Sequence, residues 1–254
     1  MRLAVTGATG RMGREVIATA RDRGDDVVLA VTRDPDVDRV EGVLVRAAAD
    51  LPALLRESDP DALVDFTGPS SSVEYVEACA EAGVPAVVGT TGFSAAQADR
   101  VREAGDRVPV LRAANFARGV HALKRAVEAA VEALPGYDVE VTETHHNAKR
   151  DAPSGTAGEL IETVRRTRGD GADLVHGREG EAPREPGEIG VHARRAGDVT
   201  GEHEVLLAAN HELVSLTHRA ESRGVFAVGA LDAAAWLAGQ NPGYYSFADA
   251  IAES

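Results

Sequence analysis

The feature that most constrains the fold is a glycine-rich loop close to the start of the chain. Residues 3–13 read LAVTGATGRMG, an apolar run followed by glycines at positions 7, 10 and 13. A strand, such a loop and a helix form the first turn of a βαβ unit that binds a dinucleotide: the glycines permit a tight turn, close approach to a pyrophosphate and close helix–strand packing. We therefore expect a dinucleotide to bind at Gly7, Ala8, Thr9, Gly10, Arg11 and Met12.

The rest of the first half alternates short apolar runs with helical patterns. The predicted strands are 3–6, 27–32, 62–66, 85–88 and 109–112, and the predicted helices are 12–23, 49–57, 71–82 and 95–104. This alternation is typical of an α/β fold, a Rossmann-type doubly wound parallel sheet with helices on both faces. Residues 1–116 are predicted to form this dinucleotide-binding domain, and the helix within 221–254 is predicted to pack back on it.

The second half has a different pattern, which predicts a smaller α+β domain over residues 117–220. A long amphipathic helix at 117–134 and a helix at 155–167 accompany strands at 137–144, 189–194, 201–208 and 211–218. Turn residues at 196–198 and 209–210 predict hairpins, and the polar stretch 169–188 predicts a loop. These elements indicate a mixed or antiparallel sheet.

Charge and composition narrow the function classes. The 254 residues include 41 acidic and 27 basic side chains, a formal charge of −14, which argues against a nucleic-acid partner. No apolar run reaches the roughly 18 residues of a membrane span. The chain begins directly on a strand pattern and contains one cysteine, Cys79, so we expect a cytoplasmic protein with no membrane partner.

The basic residues are unusual because only Lys124 and Lys149 are lysines. An acidic surface almost without lysine suits a salt-adapted, halophilic-type protein, since salt screens its self-repulsion. Codon bias towards arginine explains the same composition, and the two explanations are compatible.

The ends of the later strands indicate how the cofactor is held. Thr32 and Arg33 follow the second strand, where an NAD site usually has an acidic residue; Arg33 suits a 2′-phosphate, so NADPH is expected to be preferred, or both cofactors accepted. Small polar loops follow the fourth and fifth strands and are expected to contact the nicotinamide and its ribose: Gly89, Thr90 and Thr91, then Ala113, Ala114, Asn115 and Phe116.

The densest polar segment, residues 143–156, reads ETHHNAKRDAPSGT. Pro153 is expected in the first turn of a helix whose free N–H groups, at Ser154, Gly155 and Thr156, form an anion site suited to a dicarboxylate. His145, His146 and Lys149 add positive charge, and one histidine can donate a proton near neutral pH. Adjacent histidines on a strand point to opposite faces, so no metal site is expected.

Together these motifs resemble the dihydrodipicolinate reductase (4-hydroxy-tetrahydrodipicolinate reductase) family over nearly the whole chain. The resemblance lies in residues 7–13, 65–67, 89–93, 115–116, 143–156, 195–198, 201–203, 217–218 and 222–223. It implies reduction of 4-hydroxy-tetrahydrodipicolinate to tetrahydrodipicolinate by NADPH or NADH, in diaminopimelate and lysine biosynthesis. The chain departs from the family in having Thr32 where many members have an acid, which favours NADPH, and Ala114 where proline is frequent.

The resemblance also implies roles for single residues. His145 would donate the proton that completes the reduction, and Lys149 would be the second catalytic group. His146 and the amides of Gly155 and Thr156 would hold the substrate carboxylates. Thr67 would belong to the cofactor loops, and the second domain's sheet would join four copies in a homotetramer.

Two other functions remain open from the residues alone. The first is another nicotinamide oxidoreductase acting on an amino-acid precursor, such as a homoserine or a semialdehyde dehydrogenase; the latter needs a catalytic cysteine, for which Cys79, in a predicted helix, is poorly placed. The second is a non-catalytic NADP-sensing regulator, which would have no use for the 143–156 segment.

Overall fold

The computed structural model describes residues 1–169 and 171–252, which fall into two compact units. One unit comprises residues 1–116 and the chain from 223 onward, and the other comprises residues 117–222; the sequence places these boundaries after residues 116 and 220. The strands are β1 Arg2–Thr6, β2 Asp26–Thr32, β3 Arg39–Val40, β4 Val43–Ala47, β5 Ala62–Asp65, β6 Ala86–Val88, β7 Pro109–Arg112, β8 Asp138–His145, β9 Leu174–His176, β10 Ile189–Arg195, β11 Gly201–Ala209, β12 Glu212–Ala220 and β13 Gly243–Tyr245. The helices are α1 Arg11–Asp22, α2 Leu51–Ser58, α3 Pro69–Ala82, α4 Ala95–Ala104, α5 Arg118–Ala133, α6 Gly155–Arg168, α7 Gly224–Leu237 and α8 Phe247–Ala252.

The first unit is built on a sheet with the strand order β13-β7-β6-β5-β1-β2-β4-β3. All neighbouring pairs are parallel except β3 with β4. Strand order reverses at β1, which has β2 on one side and β5 on the other, and ligands of such sheets bind at the carboxyl ends of the strands around this point. The predicted α/β class is confirmed.

The central strands are apolar and buried because helices cover both faces of the sheet. One core layer includes α1 and α7, and the other includes α2, α3 and α4. Helix α7 is apolar except for Asp232, which pairs with Arg23, and it packs on α1, β5, β6 and β7. A methyl group at Gly229 would lie 1.8 Å from the Phe116 carbonyl oxygen, so glycine is what allows this helix to approach so closely.

Several short edge elements of this unit were not predicted. Strands β3 and β4 occupy a region without a predicted element, and β13 and α8 follow the last predicted helix. In β4 only Val45 is buried, so the strand has almost no alternation for the sequence to display. Pairing with a neighbour, rather than local pattern, determines these edges.

The second unit is a five-stranded mixed sheet with the order β12-β11-β8-β10-β9. Helices α5 and α6 cover one face, and the core between them includes Val139, Val141, Val205 and Leu207. The mixed sheet is confirmed. Strand β9 lies within the stretch predicted to be a loop, where it pairs in parallel with β10.

One predicted hairpin is wrong and the other is shifted. Residues 196–198 do not join neighbouring strands, because β8 lies between β10 and β11 and pairs with both. The β11–β12 hairpin exists, but its turn is Asn210 and His211, with φ of 51° and 65°, so β12 begins one residue later than predicted.

Candidate active site

The residues predicted to hold the cofactor gather at one edge of the first unit's sheet. Because β1, β2, β5, β6 and β7 run parallel, the loops that follow them lie at the same edge. This edge carries the 7–12 loop, Arg33, Thr67, Gly89, Thr90, Thr91 and residues 113–116. The structure therefore brings the whole predicted set into one region of this unit.

The glycine loop has the geometry that its spacing predicts. Gly7 has a φ of 62°, and a methyl group at Gly13 would lie 2.2 Å from the Gly7 carbonyl oxygen. Gly10 is the N-cap of α1 and has no side chain to occupy the first N–H groups, which leaves a helix N-terminus suited to a pyrophosphate. Ala8 is fully buried and its N–H donates to the carbonyl of Val31 at 3.1 Å, so its contribution is structural.

A buried carboxylate, Asp65, organises two of these loops. Its Oδ1 accepts hydrogen bonds from the hydroxyls of Thr6 at 2.6 Å and Thr67 at 2.7 Å, and its Oδ2 accepts one from Thr90 at 2.8 Å. Asp65 has no exposed surface. The hydroxyls of Thr67 and Thr90 therefore point inward, and both residues fix the loops after β5 and β6.

Phe116 does not have the placement that a cofactor contact through its ring requires. The side chain is 1% exposed and packs edge-on against Phe66 and Phe247. Its ring belongs to the hydrophobic core of this unit, because the chain buries it beneath α7. Gly89 has a related packing role, since a methyl group there would overlap the ring of Phe66 at 2.0 Å.

Arg33 lies at a cavity of about 470 Å³ beside the N-terminus of α3. The cavity is lined by Thr32, Arg33, Ser70 and Ser71 among others. The Arg33 guanidinium donates a hydrogen bond to the hydroxyl of Ser71, and this contact places the guanidinium at the N-terminus of α3. A cation, two hydroxyls and a helix N-terminus together form a site with the chemistry of a phosphate pocket.

In the second unit the predicted proton donor lies on the inner face of the sheet. Strand β8 alternates, so that Val139, Val141, Glu143 and His145 are all buried. His145 is the last residue of the strand, rather than part of a loop, and is 9% exposed. The apolar core thus gives way to a polar end that contains Glu143 and His145.

Glu143 is the centre of this polar end. It is 1% exposed, and its Oε2 lies 2.6 Å from Nδ1 of His145. Arg195 on β10 donates to both carboxylate oxygens, at 2.8 and 2.7 Å, and the N–H of Ser154 donates to Oε1 at 3.1 Å. Each oxygen of this buried carboxylate therefore has two hydrogen-bond partners.

Ser154 is the N-cap of α6 and is used internally. Its hydroxyl accepts from the N–H of Ala157 at 3.3 Å and lies 3.1 Å from Nε2 of His203 on β11. Pro153 precedes the cap, so the prediction that it lies in the first helical turn is wrong. Gly155 is exposed, and Thr156 is 8% exposed. The exposed start of α6 is therefore at Gly155, and the Ser154 hydroxyl supports the helix end.

Lys149 follows β8 in the loop before α6. Its Nζ donates to both oxygens of the Asp151 carboxylate, at 2.7 and 2.9 Å. The Arg195 guanidinium also donates to the backbone carbonyl of Asp151 at 2.6 Å. Arg195 therefore contacts both the partner of His145 and the loop that carries Lys149. His146 is half-buried at the start of this loop.

Burial and neighbouring charges adjust the proton affinities here. Burial lowers the pKa of His145, while the hydrogen bond to Glu143 opposes that shift. Burial opposes ionisation of Glu143, but hydrogen bonds from Arg195 and His145 outweigh it and hold the pKa of the carboxyl below its ordinary value. Burial lowers the pKa of His203 to about 4, so this ring is neutral near pH 7.

The described residues, 1–169 and 171–252, contain no group of three or more His, Cys, Asp or Glu arranged to hold a metal ion. Among the helices of that part of the chain, none has the length and apolarity to cross a membrane.

Comparison with known proteins decides the family. The model of the dihydrodipicolinate reductase N-terminus matches residues 1–116, and that of the dihydrodipicolinate reductase C-terminus matches residues 119–251. The chain belongs to the dihydrodipicolinate reductase family.

Its relatives support the assignment over the full length of the chain. It is 53% identical over 251 residues to a 4-hydroxy-tetrahydrodipicolinate reductase from Natronomonas pharaonis, covering 99% of this chain and 100% of the relative. It is 51% identical to the enzyme of the same name from Haloarcula marismortui, with 98% of each chain covered. A solved dipicolinate-bound dihydrodipicolinate reductase from Paenisporosarcina sp. TG-14 superposes with a TM-score of 0.77 at 25% identity, over 99% of both chains.

For a member of this family, the N-terminal domain binds a nicotinamide nucleotide, in agreement with the glycine loop. Sequence reasoning did not assign roles to four further residues: Asp65, Glu143, Arg195 and His203. The signal for Glu143 was present, because it continues the alternation of Val139 and Val141 on β8. Arg195 gave no such signal, since its contact with Glu143 spans 52 positions.

Proposed function

We propose that this chain reduces 4-hydroxy-tetrahydrodipicolinate to tetrahydrodipicolinate with NAD(P)H, in the diaminopimelate and lysine biosynthetic pathway. The observation that carries the proposal is the polar end of the second unit's sheet. There a histidine backed by a buried carboxylate lies close to the start of α6, and a loop brings a lysine to the same end. Proton donation and anion binding are thus combined in one segment of chain.

The substrate carboxylates would be bound by the start of α6 and by the 146–149 loop. The amides of Gly155 and Thr156 lie in the first turn of a 14-residue helix, whose dipole favours negative charge. His146 and Lys149 would supply further hydrogen-bond donors, and the Lys149 ammonium adds positive charge. A cyclic dicarboxylate fits this set, and dipicolinate, the ligand of the solved relative, is one.

In the proposed reaction the hydroxyl on ring carbon four of the substrate leaves as water, and a nicotinamide held at the 7–12 loop would supply the hydride that the same carbon of the unsaturated ring takes up. His145 donates the completing proton from Nε2, because Nδ1 is engaged by Glu143. Lys149 would exchange its contact with Asp151 for a substrate carboxylate, and it assists proton transfer through its ammonium group.

For the cofactor, we propose a preference for NADPH over NADH. Thr32 places no negative charge at the end of β2, and Arg33 lies over the Ser70–Ser71 end of α3 in the cavity of about 470 Å³. A 2′-phosphate would accept hydrogen bonds from Arg33 and from these hydroxyls. The ribose of NADH lacks the 2′-phosphate and would not form these hydrogen bonds.

The deciding experiment follows NADPH oxidation with substrate freshly made by the preceding synthase. We expect turnover with the wild-type protein and loss of turnover with His145→Ala. Cofactor binding without turnover on this substrate, at any tested pH or salt concentration, would contradict the proposal and favour the NADP-sensing regulator.

A semialdehyde dehydrogenase requires a reactive thiolate, and Cys79 is unsuited to that role. It is fully buried within α3, and burial raises the pKa of its thiol. Turnover that survives Cys79→Ala would agree with this, whereas complete and specific loss in a folded variant would reinstate the cysteine mechanism.

We also propose that the chain forms a homotetramer through the face of the second unit's sheet opposite α5 and α6. Leu213 on β12 is 58% exposed on this face, where it pairs with Ala208 of β11. Light scattering should give four chains for the wild type and a smaller mass for Leu213→Glu. Leu44→Glu, at a leucine 54% exposed in the first unit, is the matched control and should leave the mass unchanged; the same mass for both variants would contradict the proposed face.

A further inference from the structure

His145, the proton donor of the proposed reaction, contacts Glu143, and Glu143 is itself paired with Arg195. Glu143 carries a buried carboxylate on the inner face of β8, and all of its hydrogen bonds come from His145, Arg195 and the Ser154 N–H. A buried carboxylate is costly unless it is paired and fully hydrogen-bonded, which this one is. An apolar residue in phase with Val141 would fill the same position at no electrostatic cost, so the charge calls for a reason.

The effect of Glu143 on His145 follows from its geometry. The carboxylate lies 2.6 Å from Nδ1, so it accepts the proton of that nitrogen and leaves Nε2 as the one that exchanges protons. Nε2 lies beside Gly201, where an added methyl group would be 3.1 Å away. Glycine at this position leaves the working nitrogen uncovered by a side chain of β11.

Arg195 extends the arrangement to the second predicted catalytic group. The same guanidinium that binds both oxygens of Glu143 donates to the backbone carbonyl of Asp151, whose carboxylate binds Lys149. One planar side chain therefore fixes the support of His145 and the loop of Lys149. Lysine at position 195 would keep the charge but not the fork of donors.

We infer that Glu143 and Arg195 are positioning residues for proton transfer: Glu143 sets the tautomer and charge of His145, and Arg195 locks Glu143 to the loop that carries Lys149. This inference rests on the proposed reductase function and adds two residues to its mechanism. Neither residue is assigned a contact with substrate or cofactor.

The surroundings of His145 act in opposite directions on the proton affinity of its ring. Glu143 on the same strand favours the imidazolium, whereas burial, Lys149 and Arg195 lower the pKa of His145. His203 packs edge-on with ring centroids 5.1 Å apart and is itself neutral near pH 7, because burial lowers its pKa to about 4. Loss of the Glu143 charge removes the neighbour whose hydrogen bond and charge favour the imidazolium form of His145.

The test is Glu143→Gln, which keeps the shape and removes the charge. Because the acid form of His145 is then less stable, the fall of kcat with rising pH should begin at lower pH than in the wild type. At neutral pH we expect kcat to fall about tenfold or more, with a smaller change in KM for the substrate. Wild-type kcat together with a wild-type pH profile would overturn the inference.

Glu140→Gln is the matched control. Glu140 lies on the same strand and contacts an arginine, Arg184, and a histidine, with His192 at 2.7 Å. It belongs to the opposite face of the sheet, away from His145. We expect wild-type kcat and pH profile for this variant. An equal loss in both variants would show a general effect of strand perturbation and would overturn the inference.

Coupling to His145 separates positioning from mere structural support. In a His145→Ala background, Glu143→Gln should cost less than about twofold further activity, because its effect passes through the missing ring. Full additivity of the two losses would overturn the inference. If Glu143→Gln does not fold, Arg195→Lys serves in its place, with a kcat loss of about threefold or more expected and an unchanged profile counting against us.

An NMR titration of His145 in the ligand-free protein keeps this inference separate from the proposed reaction. Glu143→Gln should move the His145 titration to lower pH whether or not the wild type turns over the substrate. No turnover with the expected NMR shift would refute the reductase proposal alone. An unchanged titration would refute the positioning role alone.

Discussion

Each unit of this protein contains a buried carboxylate close to the end of a central strand, and the two are satisfied in different ways. Asp65 ends β5 and accepts hydrogen bonds from three threonine hydroxyls. Glu143 lies near the end of β8 and is bound by a guanidinium, an imidazole and a backbone N–H. Neutral donors around Asp65 fix the shape of loops, whereas charged and titratable donors around Glu143 couple its charge to a proton-transfer group. A buried carboxylate thus serves as a scaffold in one unit and as an electrostatic device in the other.

The largest expected effects are at His145 and Lys149, the two proposed catalytic groups in the unit that contains Glu143. His145→Ala and Lys149→Ala should each lower kcat by about a hundredfold or more, because each removes a group proposed to act in proton transfer. Steady-state kinetics would measure this, with His176→Ala and Lys124→Ala as controls at an exposed histidine and at the other lysine. Near-normal turnover in either active-site variant would remove that residue from the mechanism.

Stability should distinguish the two carboxylates directly. Glu143→Gln leaves Arg195 without its carboxylate and should lower the free energy of unfolding by about 3 kcal/mol, while Asp65→Asn, among hydroxyls that can reorient, should cost about 1 kcal/mol. Urea unfolding would measure both.

The same comparison has a pH dependence. The pKa of Glu143 is held below its ordinary value of 4.5, so its contribution is complete above that value and is lost as the pH falls through the folded-state pKa. The gap between wild type and Glu143→Gln should therefore narrow in acid. Equal costs for the two variants at neutral pH would break the distinction between scaffold and electrostatic device.

A smaller effect is expected at Arg33, which lines one cavity with Thr67 of the loop that Asp65 fixes. Arg33→Ala should raise KM for NADPH about tenfold and change KM for NADH little, because one charge-assisted contact to phosphate is removed. Arg100→Ala is the control, at an exposed arginine paired with Glu77. A tenfold or greater preference of the wild type for NADH would contradict the proposed preference for NADPH.

Salt should have the smallest effect on the comparison, because it acts on the surface rather than on the buried groups. With a formal charge of −14, the wild type is expected to unfold at a higher temperature in molar KCl than in dilute buffer, as screening reduces self-repulsion. The stability difference between wild type and Glu143→Gln should change little. Greatest stability in dilute buffer would count against salt adaptation.

The central strands and helices of both units were accessible from the sequence, whereas short edges and crossovers were not. Strand β7 and helix α4 were predicted with their observed bounds, because apolar period and caps are local signals. The connection at residues 196–198 has hairpin-like residues, yet it passes over β8. Turn chemistry specifies a change of direction but not which strand becomes the neighbour.

The candidate sites show the same division. The glycine loop and the 143–156 segment are each a continuous stretch of sequence. The spacing of residues within each stretch was therefore enough to predict it. Phe116 was expected to contact the cofactor but lies in the core. Its ring packs against Phe66 and Phe247, which come from distant parts of the chain. Ser154, expected to bind substrate, is the cap of α6 and the neighbour of His203.

The sequence by itself determined the fold class, the family and the residues that follow one another in the two motifs. It determined these because strand period, glycine spacing and helix caps act over a few positions. Only the tertiary structure decided that Glu143 and Arg195, 52 positions apart, share one buried contact, and that Asp65 accepts hydrogen bonds from hydroxyls at the end of β1 and in the loop after β6. The reason is that the pairing of buried charges depends on sheet order and register, which no local pattern specifies.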